Sequence, residues 1–77
     1  MTIIEVIKIV IQSKHGWAVA EQFECTIENV ELFDEQNENA LKCINDTISK
    51  ILKNNSLDDM AEIRQYHASL SDYLNKH

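Results

Sequence analysis

The stretch "IVIQSKHGWAV" (Ile9–Val19) holds the single glycine of a chain that has no proline. Whether Lys14-His15-Gly16 turns a β-hairpin or ends a helix decides the fold class and the direction in which the neighbouring charges point.

The helix reading has clear support. Thr2 and Glu5 match a Thr-x-x-Glu capping box. Glu5, Lys8 and Gln12 make a polar stripe at helical spacing. Lys14 and His15 would occupy the last turn, with Gly16 just past its end. The strand reading accounts for more residues. Eight of the ten residues from Thr2 to Ile11 are β-branched, and such side chains fit a pleated surface better than a helix. A three-residue hairpin loop places a glycine in the left-handed region at its third position, and Gly16 falls there. Its register pairs Ser13 with Trp17, Ile11 with Val19, Ile9 with Glu21, Ile7 with Phe23 and Ile3 with Ile27. The odd positions Ile3, Ile7, Ile9, Ile11, Trp17, Val19, Phe23, Cys25 and Ile27 then share one face. A helix starting at Trp17 would also lack a side-chain cap. "VELF" (Val30–Phe33) would add a short third strand.

Beyond Asp34 the period becomes helical. Leu41, Ile44, Ile48, Ile51 and Leu52 form one stripe, with Asp34 placed to cap its start. Asn54–Ser56 breaks it, and Ser56 is placed to cap a last helix lined by Leu57, Met60, Ile63, Tyr66 or His67, Leu70 and Leu74. The expected architecture is a single α+β domain over residues 1–77. An antiparallel hairpin or three-stranded meander is followed by two α-helices packed on one face. The alternative is an all-α helical bundle, in which Gly16 ends a helix.

The 77 residues carry a formal charge of −6. Between residues 21 and 46 stand eight carboxylates against Lys42 alone. Glu21, Glu24, Glu28, Glu31, Glu35 and Glu38 recur at intervals of three and four, as on one helical face. An acidic middle argues against direct nucleic-acid binding, which relies on lysine and arginine. The run "IIEVIKIVI" is far too short to span a membrane, which needs about 20 apolar residues. The first 20 residues show no basic n-region or small-residue cleavage site, so a cytoplasmic location with reduced thiols is expected.

No catalytic or metal pattern emerges. Cys25 and Cys43 form no Cys-x-x-Cys and read as small buried hydrophobes. His15, His67 and His77 are scattered over three segments, His15 reading as exposed and His67 as lying at the rim of a helix interface. The acids form no calcium loop, and a chain of this size has little room for a cleft. The protein is expected to be a non-enzyme without cofactors. Trp17 reads first as core, and at a rim it would be an interface anchor.

Two roles follow. One is a small regulator, inhibitor or antitoxin-like protein that docks an acidic segment onto a basic protein surface. Glu24, Glu28, Glu31, Glu35, Glu38 and Trp17 would carry that contact. The other is an assembly subunit. In the hairpin, Ile4, Val6 and Val10 point away from the helix layer beside Ala18 and Ala20. That unpartnered apolar face fits a homodimer.

Overall fold

The computed structural model describes residues 2–54 and 61–76 and is all-α. It consists of α1 (Ile3–His15), α2 (Trp17–Glu28), two 3-10 turns (Val30–Leu32 and Glu35–Asn37), α3 (Glu38–Asn54) and α4 (Ala61–Lys76). There is no strand among the described residues. The α+β hairpin or meander is therefore overturned, and the all-α bundle is the fold. Val30–Phe33 is a 3-10 turn with its end, not a third strand. Leu57, Met60 and the Ser56 cap lie outside the described residues.

Gly16 is the whole connection between α1 and α2. Its N–H still donates to the Gln12 carbonyl at 3.0 Å, and its own carbonyl accepts from Ala20 at 3.3 Å. At φ 97°, ψ 172° it closes one helix and opens the next within one residue. This backbone region is essentially restricted to glycine. Lys8 and Glu24, eight residues before and eight after it, meet at 2.7 Å, so the two helices fold back antiparallel. Gly16 supplies the reversal that the sequence implies, between helices instead of strands.

The β-branched run forms a helix because tertiary burial outweighs propensity. Isoleucine and valine cost only a few tenths of a kcal/mol each in a helix. Burying one of these side chains returns about 1.5–3 kcal/mol, and Ile7 and Ile11 are fully buried while Ile3 and Ile4 pack on the core. Thr2 Oγ1 accepts from the Glu5 N–H at 3.2 Å, which is half of the anticipated capping box. The two periods agree fully at Ile7, Ile11 and Phe23 and in part at Ile3, Val19 and Ile27, which pack on the core; they disagree at Ile9, Trp17 and Cys25. Ile9 and Trp17, placed inside by a period of two, are 52% and 66% exposed. Cys25, placed in the core by the same register, is exposed, and Cys43 is half-buried. Ala20 and Thr26, inside only by the helical period, are buried.

The core joins the four helices of the described residues: Ile7 and Ile11 from α1, Ala20 and Phe23 from α2, Leu41, Ile44 and Ile48 from α3, Ile63, Tyr66 and Leu70 from α4. Asp34 does act as a cap, its carboxylate accepting from the Gln36 N–H at 3.1 Å in the 3-10 turn that leads into α3. Acid-before-lysine pairs one turn apart line the outer faces: Glu38–Lys42, Asp46–Lys50 and Asp72–Lys76. That order suits the helix dipole.

Candidate protein-docking site

Two buried threonines tie the helices together in the same way. Thr26 Oγ1 donates to the Gln22 carbonyl at 2.9 Å and lies 2.6 Å from the Tyr66 hydroxyl. A threonine hydroxyl has one proton, so Tyr66 donates to Thr26 and links α4 to α2. Thr47 Oγ1 donates to the Cys43 carbonyl at 3.0 Å and lies 3.1 Å from His15 Nε2. His15 therefore donates, joining the end of α1 to α3. Its ring is exposed as expected, but it has a structural partner that no local pattern announced. His67 is half-buried, in keeping with an interface rim.

Tyr66 sits at the centre of an aromatic chain. Phe23 meets it edge-on at 5.6 Å, Phe33 lies 5.9 Å away, and Phe33 continues to Tyr73 at 5.3 Å. Burial pushes the Tyr66 phenol up to about 12, with the Thr26 hydroxyl offsetting part of the rise. Tyr73 is also raised, first by partial desolvation and then by Glu35, Asp34 and Glu38. For Tyr66 the linkage has a definite sign. Above pH ~10 the unfolded chain loses this proton while the folded chain keeps it, so stability falls until the folded group titrates. Urea melts between pH ~10 and ~12 should show a loss of about 2–3 kcal/mol from this residue. Tyr66→Phe should lack that component. An identical alkaline decline in both proteins would refute the assignment.

The acidic row does not form one face. α2 ends at Glu28, and Asn29 (φ −149°, ψ 100°) breaks the helical path. Glu24 is committed to Lys8, and Glu38 pairs with Lys42 at 3.5 Å. Asp34, Glu35 and Glu38 gather near Tyr73. Glu28 and Glu31 are exposed and form no ion pair among the described residues. Glu28 precedes the turn and Glu31 stands within it, between Val30 and Leu32, which are 43% and 50% exposed. Trp17, at the opposite end of α2, is exposed and lies apart from this group.

Beside the turn lies a slot of about 230 Å³, lined by Ile27 and Val30 on one side and by Glu62, Gln65, Tyr66 and Ser69 of α4 on the other. The α4 residues follow one another at spacings of three, one and three, a single helical stripe. Glu62, Gln65 and Ser69 lie on residues that the sequence reading did not single out. Their one available signal was that stripe, flanking the inner stripe of Ile63, Tyr66 and Leu70.

Of the residues expected to drive self-association, Ile4 packs against the core. Val6 is exposed and Val10 half-buried, one turn apart on α1. Ile9, which the strand period had turned inward, joins them at the surface. No three His, Cys, Asp or Glu side chains assemble as a metal-binding group among the described residues. No helix among them is long and apolar enough to cross a membrane.

Fold and surface together define a small all-α helical protein with an apolar, acid-flanked turn at the end of its second helix. No protein-family model, no curated protein and no solved structure matches the chain.

Proposed function

We propose that this chain is a non-enzymatic protein-binding module of the regulator, inhibitor or antitoxin-like kind, which docks onto a basic protein surface. The contact is carried by the turn Val30–Leu32, with Glu31 at its centre, and by Glu28 just before it. The observation behind it is an arrangement that opposes stability. The C-terminal end of a helix carries partial negative charge and favours cations. The last turn of α2 has no basic residue, ends on Glu28, and is followed by Glu31 and two exposed aliphatic side chains. Local rules broken without a structural gain mark functional positions. Exposed apolar anchors inside a charged rim match the anatomy of an interface.

The test separates binding from folding. Glu28→Lys should raise Tm by roughly 2–4 °C, because a cation at this helix end is favoured. The same change, combined with Glu31→Lys, should weaken binding of a lysine–leucine helical peptide by at least about tenfold, read by fluorescence anisotropy. Binding should also weaken steeply between about 50 and 500 mM salt. Affinity that ignores both salt and charge reversal ends this reading.

A second reading rests on a different surface. Val6 and Ile9 are 39% and 52% exposed on α1, with Val10 beside them, and an isologous helix pairing in a homodimer would cover them. Sedimentation should then show a concentration-dependent dimer, and the Val6→Lys/Ile9→Lys double variant a folded monomer. A monomer at every concentration of the unmodified chain rules this out.

A further inference from the structure

The slot beside the docking turn has a chemistry of its own. At about 230 Å³ it is smaller than the roughly 300–1,000 Å³ typical of drug-sized ligands. Ile27, Val30 and the edge of Tyr66 supply apolar wall. Among the described residues, Glu62 is the only lining residue with a formal charge, and Gln65 and Ser69 add neutral oxygens. The Tyr66 hydroxyl is already engaged by Thr26. The end of α2, without a basic residue in its last turn, lies at the same mouth. The formal charge of this lining is negative, Glu62 outweighing the partial positive charge of the α4 N-terminal turn in which it stands, while half of the lining residues are aliphatic or aromatic.

We infer that this slot receives one arginine side chain from the basic partner, an inference that rests on the protein-binding reading above. An arginine buries its methylene stem against apolar wall and keeps a charged head for polar groups. Its planar guanidinium offers five N–H donors. Glu62 takes the paired, charge-assisted bonds, and Gln65 Oε1 and Ser69 Oγ are within the same lining set to accept others. Lysine, a point charge with three donors, matches this spread of acceptors less well. A carboxylate-bearing side chain would be repelled.

The experiment uses Nα-acetyl-arginine methylamide as probe, titrated into the full chain and followed by amide chemical shifts. Shifts are expected at Ile27, Val30, Glu62, Gln65 and Ser69. The citrulline analogue has nearly the same shape without the charge and should produce none. Glu62→Gln should abolish the shifts while the chain stays folded, with Tm lower by no more than a few degrees because a carboxylate is lost from the first turn of α4. In the lysine–leucine peptide, exchanging one lysine for arginine should tighten binding by about three- to tenfold, and Glu62→Gln should remove that gain. Equal shifts from citrulline or from the lysine amide overturn the inference, as does binding that persists in Glu62→Gln. Salt-sensitive peptide binding that depends on Glu28 and Glu31 but not on Glu62 would refute the arginine slot while leaving the docking turn intact.

Discussion

Replacing Gly16 by alanine is expected to lower stability by about 1–3 kcal/mol, the cost of holding an ordinary residue in a sparsely populated backbone region. For a domain of this length that is a fall in Tm on the order of 10 °C. The cause is the backbone alone. A Cβ built at Gly16 meets nothing within 4 Å, so neither clash nor lost packing contributes. The strain comes from φ 97° with ψ 172°, whose mirror image lies in the broad β region open to any residue. A chain made by chemical synthesis with D-alanine at position 16 should therefore keep or exceed the parent stability, since it also restricts the unfolded chain. Valine should cost more than alanine. Equal losses for L- and D-alanine would show that the site is limited by space and not by backbone geometry.

Phe23→Ala is expected to have the largest effect of any single change, about 3–5 kcal/mol. A domain of this size has total stability of only about 4–12 kcal/mol, so the variant should be partly unfolded at room temperature in mild urea. Phe23 is fully buried and lies edge-on to Tyr66. Its loss opens a cavity against the side chain that links α4 to α2. The control is Ile9→Ala. On a strand, Ile9 would face the core and its loss would be costly. On α1 it is half exposed, and alanine is a better helix former, so stability should change by less than about 0.5 kcal/mol. A large loss at Ile9 together with a small one at Phe23 would contradict the helical packing.

The docking turn was legible in part. The sequence shows the excess of carboxylates and names Glu28 and Glu31 among them. It could not show that Glu24 is paired with Lys8, because that partner stands sixteen residues away; the Glu38–Lys42 pair, one helical turn apart, is the local kind that spacing can suggest. Nor could it show that α4 supplies the opposite wall of the slot. Trp17, read first as core, is a surface residue because α2 turns it about a quarter to a third of a revolution from the buried Ala20 and Phe23 stripe.

Where the chain first reverses is readable from residue types alone, because a single glycine among residues that resist positive φ leaves one position for it. So are the two C-terminal helices, whose apolar stripes at Leu41–Ile48 and Ile63–Leu70 admit only the helical period. So is the place of Ile7, Ile11 and Phe23 in the core, because these positions face inward under either period. That Ile3–His15 and Trp17–Glu28 are helices follows from packing and not from local preference. There the β-branched composition and the 3.6-residue spacing point in opposite directions by a few kcal/mol, and a local reading cannot weigh them. The balance is set by burial against α3 and α4, which brings Thr26 to Tyr66 and His15 to Thr47 across 40 and 32 residues.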